Sequence, residues 1–442
     1  MHYDLLIRGG RCVTPGGIED TDVGIAGGRI AALGNLSAVE ADEVVDARGL
    51  HVLPGVIDAH VHLREPGAEH KEDLSTGTAA AALGGVTTVF DMPNNAPPTT
   101  TEDALSDKLR RARGRAWVDH AFFVGASVDN VAELARLEAL PGCAGVKVFM
   151  GSSTGSLLIP DDEALLAVLR AGRRRVAVHA EDEHRLQARR DLAQGGAHTH
   201  AAWRDAETAA LATRRLLQAA ERAGRRVHLL HTSTAEEMGL LAHHKDLATV
   251  EVTVQHLSLS APECYDRLGS RAQMNPPLRA GVHQAALWAA VRSGLVDNIA
   301  SDHAPHTLDE KARPYPHSPS GLPGVQTLLP LMLDHVAQGL LSLQRLVDLT
   351  SAGPARVHDI AGKGRLAVGW DADLVLVDLS ARHTVTDEEM ASRCGWTPFH
   401  GRRVCGWPVA TVIRGNLVMR EGALVGAPVG APVRFGGLSA VG

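Results

Sequence analysis

Through the middle of the chain, short continuous runs of apolar and β-branched residues alternate with amphipathic or Ala/Leu-rich stretches. A strand covered on both faces has no polar side, so such runs mark a parallel sheet, and the stretches between them read as helices. The candidate strands are Gly55 to Asp58, Val86 to Asp91, His120 to Gly125, Gly145 to Phe149, Val176 to Val178, Val227 to Leu230, Thr249 to Val254 and Asn298 to Ser301. Eight strand–helix units predict a closed (β/α)8 TIM barrel, whose chemistry gathers at the C-terminal ends of the strands.

Both ends of the chain have a different texture, that of short strands and turns. Asp4 to Arg8, a Gly9-Gly10 turn, Asp22 to Ala26, a Gly27-Gly28 turn and Arg29 to Leu33 predict a small β unit. The texture returns in Ala372 to Asp378 and in Val409 to Val418. The expected α/β organisation is an N-terminal part of a small β-sandwich over 1–53, a (β/α)8 metal-dependent hydrolase barrel over 54–360, and the C-terminal part of the sandwich with a tail over 361–442.

Bulk composition narrows the function class. A chain of 442 residues with 45% hydrophobic and 21% charged content is an ordinary globular enzyme, and a net charge of −7 leaves no broad basic surface for nucleic acid. The basic runs Arg173-Arg174-Arg175 and Arg225-Arg226 lie between a helix pattern and the next strand, and read as solvated turns. Cys12, Cys143, Cys264, Cys394 and Cys405 show no Cys-x-x-Cys spacing, so neither a thiolate zinc site nor a disulfide framework is expected, which suits a reducing cytoplasm. Met1-His2-Tyr3-Asp4 lacks the basic-then-apolar pattern of a secretory signal, and no run of about eighteen apolar residues occurs, so a cytoplasmic protein off the membrane is expected.

Candidate chemistry begins at His60-Val61-His62, followed by Arg64. Residues two apart on a strand share a face, so the two imidazoles can bind one cation. Alone, the pair could equally be polar residues ending a strand. A second pair, His198 and His200, lies in the polar stretch after Gln194-Gly195-Gly196-Ala197 and reads as solvated surface. The other polar residues follow the barrel rule: Asn94 comes after the second candidate strand, Lys147 lies in the fourth, and His179, His231, His256 and Asp302 end the fifth to eighth. A lone histidine is more often a core or loop residue, but joint appearance at one end of separate strands points to a site. His60, His62, His179, His231 and Asp302 suit Zn²⁺ or a similar cation. Five ligands are too many for one open catalytic zinc, and two metals sharing an anionic bridge explain the count. Lys147, inside Gly145-Val146-Lys147-Val148-Phe149, is a lysine in an apolar strand. Burial and nearby cations favour its neutral amine, which can take up carbon dioxide to form a bridging carbamate. The bland alternative is a lysine that snorkels or pairs with a carboxylate.

These residues resemble the amidohydrolase superfamily and, within it, the dihydroorotases, over almost the whole chain. Asp58-Ala59-His60-Val61-His62-Leu63-Arg64-Glu65-Pro66-Gly67 is similar to the family's first-strand motif, and Met92-Pro93-Asn94 to its second. Gly145-Val146-Lys147 resembles the carboxylated-lysine motif. Val178-His179-Ala180-Glu181-Asp182, Leu230-His231-Thr232-Ser233, Met274-Asn275-Pro276-Pro277-Leu278-Arg279 and Ser301-Asp302-His303-Ala304-Pro305-His306 resemble the rest. Gly369-Trp370-Asp371-Ala372-Asp373-Leu374-Val375 is similar to the C-terminal sandwich segment.

The resemblance implies two divalent ions, with zinc the expected metal. One would sit on His60, His62 and Asp302 and the other on His179 and His231, with N6-carboxylated Lys147 and a hydroxide bridging them. It also implies reversible cyclisation of N-carbamoyl-L-aspartate to L-dihydroorotate plus water in pyrimidine synthesis, with Asp302 as general acid and base. Arg64, Asn94 and His306 would receive the ring carboxylate, with Asn275 and His256 weaker candidates for the same pocket. Arg64 could instead pair with Glu65 or Glu69, and Gly151 to Ser156 could cover the site. Gln255 before His256, Asn95 and Thr232 depart from the commoner family residues. The alternatives are a hydantoinase- or allantoinase-type cyclic amidase, or a non-catalytic scaffold for a transcarbamoylase. A homodimer stays open, because an apolar barrel-exterior helix and a dimer face look alike in sequence.

Overall fold

The computed structural model of the protein describes residues 2–153 and 155–436. Thr154, within the Gly/Ser stretch suggested as a cover, lies outside them. Eight strands form a parallel sheet: β1 (Val56–Val61), β2 (Val86–Asp91), β3 (Asp119–Gly125), β4 (Cys143–Phe149), β5 (Val176–His179), β6 (Val227–Leu229), β7 (Ala248–Thr253) and β8 (Asn298–Ala300). Sequential neighbours pair in chain order, and a parallel bridge from Val61 to His303, with the His62 amide donating to the His303 carbonyl at 2.7 Å, brings the last strand back to the first. The barrel expected from the pattern is present, with strand ends within about three residues of the predicted ones for the reason given above: nearly every strand residue is buried, so the apolar runs are continuous.

Side chains pointing into the barrel form their own core, in which Ile57, Phe90, Phe123 and Leu230 pack with Ile360 and Val433. The polypeptide around residues 430–435 closes the end of the barrel opposite the strand C-termini. There the Val433 amide donates to the His120 carbonyl and Phe435 sits edge-on to Phe90. A larger core lies between the strands and the surrounding helices.

The chain ends meet in a nine-stranded mixed sheet. Its join is His51–Pro54, which runs parallel to Tyr3–Thr14 on one side and antiparallel to Leu374–Thr384 on the other, with Leu53 opposite Val375. Leu5, Ile7, Val23, Ile25, Val52, Leu374 and Val412 form a separate core against it.

Three expectations are corrected. Gly9-Gly10 is not a turn: both residues lie within the strand Tyr3–Thr14, where the pairing slips between Ile7 and Gly10. Gly9 has φ of 74°, and a Cβ at Gly10 would meet Val52 at 2.7 Å, so glycine is required by a bulge and a close approach rather than by a reversal. The run Val409 to Val418 is two strands, Arg403–Ile413 and Asn416–Arg420, folded back at Arg414-Gly415. The basic runs are not simply solvated. Arg225 is buried on Glu138 and the Arg174 and Ala171 carbonyls, and Arg174 caps the Glu138 and Cys143 carbonyls while lying over the Phe435 ring. Guanidinium forks satisfy carbonyls left over where helices hand the chain to strands.

Candidate metal centre

At the C-terminal ends of the strands, a cleft of about 360 Å³ is lined by His60, His62, Lys147, His179, His231 and Asp302, with Arg64, Asn94 and Asn275 also on its wall. His60 and His62 project from the end of β1. Each is held by its Nδ1: His60 donates to Glu251 Oε1 at 2.7 Å, and His62 to Asn94 Oδ1 at 2.8 Å. That fixes the tautomer and turns both Nε2 atoms inward, where each lies 3.2 Å from Asp302 Oδ1. The ligand atoms of His60, His62 and Asp302 fall within 4.8 Å of one another, a spacing that one cation can span.

The second group lies beside the first. His179, ending β5, and His231, just after β6, approach at 3.0 Å between Nδ1 and Nε2, and the His231 ring is 5.2 Å from that of His60. Burial pushes the His62 imidazole down to about 4 and holds His179 and His231 below their ordinary value. All three are therefore neutral with lone pairs available, the form that binds a cation. Burial opposes the charge of Asp302, but the facing His60 and His62 hold its carboxyl below the usual range.

Lys147 is the orphan of the group. Its Nζ is buried and makes no hydrogen bond, it has no carboxylate partner among the described residues, and burial pushes it down to about 7. Snorkelling and ion pairing are thus both absent, and an amine that sheds its proton around neutral pH lines the cleft with the imidazoles. The residues fit a pair of cations: neutral imidazoles converging on a carboxylate, with buried nitrogens of Lys147 and His179 left without hydrogen bonds on the same wall.

Beside this cluster stands Arg64. Its Nε donates to the Pro305 carbonyl at 3.1 Å and one Nη lies 3.2 Å from His306 Nε2. Neither suggested carboxylate claims it, since Glu65 is held by Arg115 at 2.7 Å and Glu69 accepts from the Gly67 amide at 3.0 Å. Burial lowers Arg64 only to about 10, so it remains a cation in the cleft.

The structure does not bring every suggested residue to the cleft. His306 backs Arg64 and meets Lys71 on its other nitrogen. His256 is turned onto the Thr253 hydroxyl and the Pro276 and Pro277 carbonyls, so among the described residues neither histidine lines the wall. Gln255 donates to the Ser301 carbonyl. His200, read as solvated, is buried against Met274 and Asn275, whereas His198 is exposed.

Two carboxylates escaped the sequence reading. Glu251 in β7 is fully buried and accepts from His60 Nδ1, the His231 amide and Asn298. Glu181 pairs with Arg204 while lying 3.0 Å from His179 Nε2. The signal for Glu251 was available, because a charge between Val250 and Val252 in an apolar strand is as anomalous as Lys147.

No helix among the described residues is long and apolar enough to cross a membrane. The sequence model of the Amidohydrolase family matches residues 51–418. The chain is 42% identical to a dihydroorotase of Halobacterium salinarum over 93% of this chain and 96% of that one. It is 38% identical to an allantoinase of Rubrobacter xylanophilus over 98% of each. Among solved structures, the L-hydantoinase (dihydropyrimidinase) from Arthrobacter aurescens superposes with a TM-score of 0.92 at 31% identity, covering 98% of this chain and 99% of that one. A barrel with imidazoles and an aspartate at its strand ends, matched along most of its length, makes this chain a member of the amidohydrolase family.

Proposed function

We propose that the protein is a dihydroorotase, which interconverts N-carbamoyl-L-aspartate and L-dihydroorotate plus water. The observation that carries the reading is Arg64, a buried cation on the wall of the metal cleft with no carboxylate partner of its own among the described residues. Dihydroorotate has a ring carboxylate, which a guanidinium fork matches with paired hydrogen bonds. Hydantoin and allantoin have no carboxylate to place there. Dihydroorotase-named relatives at 33–42% identity support the same choice.

His60, His62 and Asp302 would hold one divalent ion and His179 and His231 the other, with zinc suited to these ligands. The Lys147 amine, in its neutral form, would add to carbon dioxide, forming an N–C bond and releasing one proton, and the resulting carbamate would supply an anionic ligand to the ions. When bound, the ions would activate water and polarise the carbonyl under attack. Asp302, held against His60 and His62, takes the proton from the attacking water and returns it to the leaving ring nitrogen in the hydrolytic direction, and reverses these roles in cyclisation. Asn94 holds His62 and, with Asn275, adds polar groups to the wall. In domain terms, 54–360 would be the catalytic barrel and the flanking segments its β domain, and the protein would work in the cytoplasm.

The test is turnover of L-dihydroorotate and N-carbamoyl-L-aspartate by purified protein, with metal content measured on the same sample. Turnover with about two ions per chain is expected from the two ligand groups. A metal-loaded protein inert on both but active on hydantoin or allantoin would overturn the substrate assignment, and a metal-free inert protein would overturn the enzyme reading.

A further inference from the structure

His200 sits outside the metal cluster, yet it is bonded to a wall residue of the cleft. The short helix His200–Trp203 brings its ring into a buried position between Trp203 and Tyr315, each 5.8 Å away between ring centroids and nearly edge-on. Its Nε2 lies 3.1 Å from the Met274 carbonyl oxygen and 2.9 Å from Asn275 Oδ1, and its Nδ1 lies 3.3 Å from the Tyr315 hydroxyl.

This contact set admits one arrangement of protons. A backbone carbonyl can only accept, so the contact with Met274 requires that Nε2 carry the hydrogen. Nδ1 then accepts from the Tyr315 hydroxyl. Because Nε2 is a donor, the atom of Asn275 facing it must be the amide oxygen, and the amide nitrogen turns away. On that other side, Asn275 Nδ2 donates to Ser153 Oγ at 3.4 Å, and both residues line the cleft. A rotated amide would set two N–H groups against an N–H, an arrangement that a buried site strongly disfavours. Burial and the nearby Arg204 push His200 down to about 3, so the ring keeps a single proton through the neutral range.

We propose that His200 is a positioning residue that locks the Asn275 amide with its N–H side on the cleft, so that the wall at this point selects an acceptor oxygen, a carbonyl or carboxylate, on the substrate. The role rests on the cyclic amidase reading of the cleft and adds to it a determinant on the side contributed by the Met274-Asn275 loop.

Two measurements on the metal-loaded full chain test it. The first needs no substrate: ¹⁵N NMR of histidine-labelled protein, with His200 assigned by the signal lost in His200→Gln. Protonated Nε2 and bare Nδ1 are expected, unchanged between pH 6 and 9; a protonated Nδ1 overturns the proposal. The second compares His200→Gln, whose amide can donate from nearly the same place, with His200→Leu, which cannot donate. Loss of one neutral hydrogen bond predicts a KM for L-dihydroorotate raised about tenfold in His200→Leu, with kcat and metal content unchanged, and recovery to within about threefold of wild type in His200→Gln. Equal KM in His200→Leu and wild type, or equal impairment in both variants, overturns the proposal. If wild type turns over hydantoin or allantoin instead, the substrate assignment fails. The same KM comparison on that ring carbonyl substrate still decides the role of His200, and if all three substrates are inert the NMR result decides it. The NMR result also decides it if His200→Leu does not fold.

Discussion

Lys147 makes a quantitative prediction about the metal-free protein. Its amine has an ordinary value of 10.5 and is pushed by burial to about 7 in the fold. Between those two values the unfolded chain holds a proton that the folded chain does not, so folding is favoured as pH rises through this window, by about 1.4 kcal/mol per pH unit from this group. Below pH 7 the full penalty of a buried ammonium is present. Lys147→Met keeps an unbranched apolar stem and removes the titration. Relative to this variant, wild-type protein should gain about 2.5 kcal/mol of stability from pH 7.5 to 9.5. The Phe149 ring, 4.5 Å from Nζ, favours the charged form and trims that gain. Lys311 and Lys108, whose values burial also lowers, occur in both proteins and cancel. The assay is urea unfolding of chelator-treated protein in buffer free of carbon dioxide. Below pH 7 Lys147→Met should be the more stable of the two, and identical pH dependence in both would refute the picture of an unpartnered buried amine.

Further perturbations separate the parts of the site. Lys147→Ala should lose bound metal and activity together, and full metal occupancy with turnover in that variant would remove Lys147 from the centre. Arg64→Ala should keep its metals while KM for L-dihydroorotate rises roughly 10- to 100-fold, the worth of charge-assisted hydrogen bonds; unchanged affinity would refute the carboxylate pocket. Glu251→Gln should weaken metal retention against a chelator by about 10- to 100-fold, because His60 loses a charged acceptor but keeps its place. Glu251→Ala should destabilise the fold as well, since it strands buried donors of His60, His231 and Asn298. Asp302→Asn should lower kcat by at least about 100-fold through lost proton transfer, checked by the pH profile of any residual turnover.

The barrel and the residues that converge at its strand ends were legible because both follow from local pattern. Strands buried on both faces must be apolar throughout, so any polar residue at their ends announces itself, as His60, His179 and Asp302 did. The same logic exposed Lys147 inside its strand and should have exposed Glu251, whose neighbours Val250 and Val252 are equally apolar. What the sequence could not show was burial imposed from far along the chain. His200 stands among glycines and polar residues, and it is the docking of Met274, Asn275 and Tyr315 from far along the chain that helps take it out of water. Gly9-Gly10 has the composition of a turn, but the close approach of Val52 makes it part of a strand. His256 lay at the predicted strand end, yet backbone carbonyls from the Pro276-Pro277 segment claim its ring.

The backbone itself marks where function overrode local preference. Six non-glycine residues among those described have positive φ, and three of them, Arg64 at 61°, His231 at 38° and Asp302 at 42°, ring the cleft at the ends of β1, β6 and β8. A side chain in that region costs on the order of 1–3 kcal/mol, which glycine would avoid. Glycine supplies a positive φ, 82°, at Gly85, where no side-chain chemistry is needed. At Arg64, His231 and Asp302 it would delete a cation, an imidazole and a carboxylate that line the cleft. Tertiary contacts hold the strained turns in place: the His231 amide donates to Glu251, the Ser301 amide beside Asp302 donates to Asp58, and Arg64 is tied through its Nε to the Pro305 carbonyl. The turns that break the strands are therefore the turns that aim the reactive groups, and the buried carboxylates beneath them serve the geometry of the site as much as its charge.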